Sequence, residues 1–159
     1  MTTDDDGDPA SGRDEKDALL QSLGDMRAAV RRTLDGLDDH QARWAPEGTL
    51  LPLLGIVNHL TQVEWRWIDG GFGGAVVHRS EREFRPGPER GLDEVLAAYR
   101  VRGSTTDAAV RGMPLTREGA GWAEGRDLRA VLLHLITETA RHAGHADATR
   151  ELLDGATGE

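Results

Sequence analysis

Four separate stretches of this chain repeat apolar residues at alternating intervals of three and four. That spacing lays one stripe along an α-helix, and it constrains the fold more than any other feature. In the first stretch Leu19, Leu23, Met26, Val30, Leu34 and Leu37 form the stripe of a helix over Asp14 to Leu37, stopped by Gly36 and the Asp38-Asp39 pair. The second predicted helix runs from Leu50 to Asp69, with Leu53, Ile56, Val57, Leu60, Val63, Glu64 and Trp67 on a broad face. Thr49 is its expected N-cap, and Pro52 falls in the first turn, where a missing N–H costs little. Gly70, Gly71, Gly73 and Gly74 are expected to stop it. The third runs from Leu92 to Arg111 along Leu92, Val95, Leu96, Tyr99, Thr106, Val110 and Met113. Gly103 and the Ser-Thr-Thr after it mark a point where that helix can break. The fourth runs from Asp127, a fair cap, to Leu153, with Gly155 as its stop.

No stretch alternates as a strand does; Val76 and Val77 amount at most to a brief extended piece. The segments 75–91, with Pro86 and Pro88, and 113–125, with Trp122, are predicted as long loops. The expectation is an all-α four-helix bundle with long interhelical loops, whose second and third connections have the length for a crossover topology. A chain of 159 residues suits one domain, placed here at 14–159. The start, MTTDDDGDPASGR, has clustered like charge and no periodicity, so residues 1–13 are expected to be a disordered acidic tail.

Composition narrows the function. Nineteen basic residues against 28 acidic ones give a net charge of −9, which excludes a nucleic-acid groove and an anionic membrane surface. No apolar run approaches the roughly 18 residues that span a bilayer. The N-terminus lacks the basic start and apolar stretch of a signal peptide, so a cytoplasmic location is expected. The chain has no Cys, which removes disulfides, thiolate metal sites and a cysteine nucleophile together. Any thiol chemistry must use a thiol brought from outside. Lys16 is the only lysine beside many Arg, Gly, Ala and Asp, a bias typical of a GC-rich genome.

The fourth helix carries the most information. Its stripe begins with Leu128, Val131, Leu132 and Leu135, and at about 100° per residue the same face continues through Glu138, Thr139, His142, Ala146 and Thr149. The stripe turns polar halfway along without leaving the core side. Glu138 and His142 stand one turn apart, with His145 on their flank. A carboxylate buried beside an imidazole is costly unless paired or metal-bound. An ion pair or a simply exposed helix end would explain one such residue. Three together, in a chain with six His, favour a site. Two ligands rarely hold a metal, and His59, at the edge of the second helix's apolar face beside Ile56 and Val63, is the best third. His134, one turn before Glu138, reads as a residue orienting a ligand from outside. His40 and His78 are expected to be solvated. No H-E-x-x-H, no pair of E-x-x-H motifs, no phosphate-cradling Gly loop and no G-x-S-x-G elbow is present.

Two stretches, LRAVLLHLITETARHAGHADATRELLDG (Leu128 to Gly155) and LLGIVNHLTQVEWRWIDGGFGG (Leu53 to Gly74), resemble the DinB/YfiT-like superfamily of metalloenzymes. The similarity is to the branch related to mycothiol-dependent maleylpyruvate isomerase. It covers about Trp44 to Gly155 and leaves out the acidic tail. It implies a four-helix bundle whose metal is held by one His of the second helix and two ligands four residues apart in the last. By motif position these are His59, Glu138 and His142, the residues that periodicity selects. Where many members carry Arg-Gly-Gln after the last ligand, this chain has Ala143-Gly144-His145, so His145 departs from the pattern.

Two His and one carboxylate with open positions suit a divalent metal, Zn²⁺ first, with Fe²⁺ or Ni²⁺ as alternatives. The resemblance implies a low-molecular-weight thiol as co-substrate: mycothiol, bacillithiol or glutathione, with a GC-rich source favouring mycothiol. The metal would lower the thiol's pKa, and the thiolate would add to a small electrophile for transfer or isomerisation. His145 and His134 are the candidate catalytic residues, for orienting a ligand or moving a proton. Arg141 and Arg66 are candidates for attracting an acidic group on substrate or thiol, although Arg on a helix surface is ordinary. Trp65, Trp67 and Trp122 are candidates for lining a pocket, with core packing the default for Trp67. The expected partners are the small-molecule thiol and electrophile, with no nucleic acid, no membrane, and room for a homodimer. A non-catalytic metal-binding stress protein, a metal-dependent hydrolase and a metal-free structural bundle stay open as other readings.

Overall fold

The computed structural model describes residues 9–158. In chain order it contains α1 (Pro9–Arg32), α2 (Asp39–Arg43), α3 (Leu53–Phe72), the 3-10 turn η1 (Glu81–Phe84), α4 (Leu92–Arg111), the 3-10 turn η2 (Gly121–Ala123) and α5 (Leu128–Asp154). The four long helices form an all-α bundle, with no strand among the described residues. Among those residues, no helix is long and apolar enough to cross a membrane.

Several boundaries move for identifiable reasons. α1 is already helical where the described residues begin, at Pro9, ahead of the expected start at Asp14. Residues 1–8 of the expected tail lie outside the described residues. α1 ends at Arg32 rather than Leu37: from Thr33 onward the bonds tighten, as in Thr33 N to Val30 O at 3.2 Å, and Gly36 at φ 75° turns the chain. The stripe is also centred one residue away from the expected line. Leu20, Leu23, Arg27, Val30 and Leu34 are buried, while Leu19 and Met26 are half-buried. The short α2 went unseen because five residues are too few to show a period; Asp38 and Gln41 close a capping box at its start.

Thr49 does not cap α3; it is exposed, and Pro52 takes the N-cap position with no side-chain bond. Gly70 and Gly71 do not stop α3 but continue it, with Gly73 as C-cap. They are glycines because the last loop lies against them: a Cβ on Gly71 would stand 2.7 Å from the Ala123 Cβ. α4 has the expected limits and does not break at Gly103, whose bare face accommodates the Arg27 side chain. α5 is capped as expected, with the Asp127 side chain accepting from Ala130 N at 2.8 Å and Gly155 left-handed at φ 78°.

α1 packs on α5 and α4, and α3 packs on α4 and α5, so α1 and α3 face each other diagonally. The connections that cross the bundle are therefore the first and third. The expected second one, 75–91, joins the neighbours α3 and α4. The core divides into two apolar halves. One gathers Val30, Leu53, Ile56, Leu60, Val95 and Ala146; the other Leu23, Val63, Val110, Leu128, Leu132 and Leu135. Between them lies a buried polar layer that includes Arg27, Glu64, Thr139 and His142.

Candidate metal centre

The polar end of α5 faces inward as its periodicity requires. Thr139, His142, Ala146 and Thr149 are buried, and Glu138 is half-buried. The threonines return their hydroxyls to carbonyls, Thr139 to Leu135 O at 2.7 Å and Thr149 to Leu51 O at 3.0 Å. Glu138 and His142 have no such local outlet. They meet His59 from α3, which is 3% exposed. The Nε2 of His59 lies 3.4 Å from Glu138 Oε1, and the Nε2 of His142 lies 3.2 Å from the same oxygen. One ligand atom from each of the three residues lies within 4.8 Å of the others, so the group could hold a metal ion.

The hydrogen bonding around the group fits that use. Glu83 Oε2 stands 2.9 Å from His59 Nδ1, and a carboxylate can only accept, so Nδ1 carries the proton. The His59 Nε2 is then the nitrogen turned toward the Glu138 carboxylate, the one a cation held between the two would use. Two imidazole nitrogens and a carboxylate oxygen are the donor types that divalent zinc, iron and nickel share. Burial holds the His142 pKa below the ordinary 6.5, and His59 and His145 add to this against the pull of Glu138. His142 is therefore neutral at neutral pH, its ligating form. Burial pushes Glu138 up, but His142 and His59 outweigh it and leave the carboxyl below its ordinary value.

The segment 75–91 supplies what the sequence reading missed. Its turn η1 lies across α3 because Gly55 has no side chain; a Cβ there would overlap the Phe84 carbonyl. Asn58 Nδ2 donates to Glu83 O at 2.8 Å, and Arg90 Nη1 donates to Asn58 Oδ1 at 2.9 Å. This brings Glu83 to the edge of the His59 ring and stacks Phe84 on its face, with centroids 4.1 Å apart. One local signal was available: Ser80-x-x-Glu83 is a capping box, and the structure forms it. It announces a turn, not where that turn docks.

The other expected site residues divide. His145 is exposed and edge-on to His142, ring centroids 5.6 Å apart. Arg141 is exposed, with Nη1 3.7 Å from Glu138 Oε2. His134 is not hydrogen-bonded to any of the three; it is half-buried against Trp67 at 4.4 Å, and burial lowers its pKa. Arg66 departs from expectation. It is buried, not on the surface; its Nη1 donates to Glu83 and its guanidinium lies over the Trp122 ring, 5.5 Å from the centroid. Trp67 packs against the apolar core, and Trp65 is exposed. His40 and His78 are exposed, as expected.

Comparison with known proteins agrees with the resemblance read from the motifs. Neither the curated proteins nor the solved structures give a match to the chain. A family model described as Mycothiol-S-transferase matches residues 18–155, from α1 to the cap of α5, and takes in all three residues of the candidate centre. With most of its length covered in this way, the chain belongs to the mycothiol-S-transferase family, a DinB/YfiT-like family.

Proposed function

We propose that the chain is a metal-dependent mycothiol S-transferase, or an isomerase working through the same thiol adduct, acting on a small electrophile. The observation that carries this is the convergence of His59, Glu138 and His142 on one point, in a chain of this family. Zn²⁺ is the proposed ion, because this donor set leaves positions open as catalytic zinc sites do; Fe²⁺ and Ni²⁺ accept the same donors. Bound there, the ion supplies a Lewis-acid position that lowers the pKa of a thiol sulfur.

The chain's own residues do the rest. His59, His142 and Glu138 hold the centre, which opens to solvent on the Glu138 side, where that side chain is 20% exposed. The absence of Cys leaves the incoming thiol as the only sulfur nucleophile. Its sulfur forms a bond to the electrophilic carbon as the S–H proton passes to the His145 imidazole and on to solvent. The electron pair released at that carbon leaves with a displaced group such as chloride, or moves through a conjugated double bond onto its carbonyl oxygen and is protonated from solvent. If the carbon–sulfur bond breaks again after rotation about a neighbouring bond, the outcome is isomerisation. Arg141, at the mouth, attracts an acidic group on the substrate.

The test combines elemental analysis with a thiol panel. Purified protein should carry a divalent metal and consume monochlorobimane or maleylpyruvate only when mycothiol, bacillithiol or glutathione is supplied, mycothiol best. Turnover without any thiol would point to a hydrolase, and bound metal with no turnover on any pair to a non-catalytic module.

A further inference from the structure

The two imidazoles of the centre are not held alike. His59 is fixed at its edge by Glu83, 2.9 Å from Nδ1, and on its face by Phe84, stacked at an interplanar angle of 22°. His142 has a buried Nδ1 with no hydrogen-bond partner among the described residues. Glu83 is itself held: Arg66 Nη1 donates to its other oxygen, Ser80 N approaches that oxygen at 3.3 Å, and its carbonyl accepts from Asn58. Both members of the pair are buried, Glu83 and Arg66 at 4% exposure each, and their charges cancel. The pair can thus orient a neighbouring ring without adding net charge beside it.

We propose that Glu83, clamped by Arg66, is a positioning residue that presets His59 with its proton on Nδ1 and Nε2 turned to the centre, making His59 the fixed arm of the centre and His142 the adjustable one. This rests on the metal reading above. The competing explanation is an ion pair that only ties the 75–91 segment to α3.

Stability and metal affinity separate the two when Glu83→Gln is compared with the double variant Glu83→Leu/Arg66→Met. Glu83→Gln keeps an acceptor for Nδ1 but leaves the Arg66 charge buried without its partner. The double variant removes both charges and the acceptor, and such apolar replacements are tolerated where half-broken pairs are not. The double variant should therefore melt higher than Glu83→Gln while binding Zn²⁺ more weakly. Its loss against the wild type should be about 10- to 100-fold in competition with a chromophoric chelator, the usual effect of removing a partner that orients a ligand. In the metal-free proteins, imidazole ¹⁵N shifts should show one His59 tautomer in the wild type and in Glu83→Gln, and a mixture in the double variant. Zn²⁺ affinity that follows stability, with His59 shifts unchanged throughout, would overturn the proposal. Wild-type protein that takes up no Zn²⁺ would remove the metal reading instead, and the tautomer comparison, which needs no metal, would still decide this one.

Discussion

Arg27 on α1 grips Glu64 on α3 across the centre of the bundle, with Nε and Nη2 donating to the two carboxylate oxygens at 2.7 and 2.9 Å. Glu64 is 1% exposed, and the third arm of the guanidinium reaches Asp107 on α4 at 2.9 Å. This clamp ties three helices inside the polar layer between the two apolar halves. Removing one partner of a buried pair strands the other charge, so Arg27→Met should cost about 3–5 kcal/mol of stability. Chemical denaturation measures it. Arg27→Met combined with Glu64→Leu should recover most of that loss, and a single variant as stable as the wild type would show that the clamp contributes little.

Metal removal should leave the fold standing. Two apolar core halves exist without the centre, unlike a zinc finger, which folds only with its ion. Chelated protein should keep its helical circular dichroism and melt lower, since a ligand that binds only the native state stabilises it. Glu138→Ala and His142→Ala should lose most of the metal by elemental analysis. Full occupancy in both would remove the site assignment, and a random-coil spectrum after chelation would contradict the core argument.

The metal-free protein should lose stability steadily on acidification. Burial lowers the His134 and His142 pKa values below the 6.5 of an unfolded chain, so the unfolded state binds protons first as pH falls through that value. Their contribution is complete above it and declines as pH drops towards the folded values. Glu83 and Glu138 act in the same direction further down: their folded values lie below 4.5, and their contribution is lost as pH falls through them. Melting temperature against pH should show two descending stages, with the upper one weakened in His134→Gln.

His145→Ala should retain the metal and slow turnover. The ring lies beside His142 but donates to none of the three converging residues, and it is open to solvent. Metal content equal to wild type with reduced kcat is the expected pair of results. Unchanged kcat would remove the proton-moving role.

The legible part of this molecule is the part that repeats. α4 and α5 have the limits that periodicity and caps give them, and the polar turn of the α5 stripe led directly to Glu138 and His142. The apolar spacing through Met26 sets the predicted α1 stripe one residue off the buried line, which runs through Arg27, a charge that belongs inside only because Glu64 faces it. Glu83 and Phe84 were out of reach for a related reason. Their segment has no period, and its docking depends on a missing side chain at Gly55 and an amide at Asn58, both on another element. Arg66 looked like a surface residue until that segment covered it.

α5 runs unbroken for 27 residues, about 40 Å at the usual helical rise, from the apolar half at Leu128 to its cap at Gly155. Its first half is locked by packing, and Glu138 and His142 ride on the same rod. Inserting or deleting one residue between Leu135 and Glu138 would swing both ligands by about 100° and slide them about 1.5 Å, beyond what any rotamer can recover. The exposed residues Glu47 to Thr49, in the connection between α2 and α3, carry no such burden. A lineage built on this scaffold can diverge by lengthening that connection, but along α5 it can change only by substitution, with the count of residues between core and ligands held as a fixed gauge.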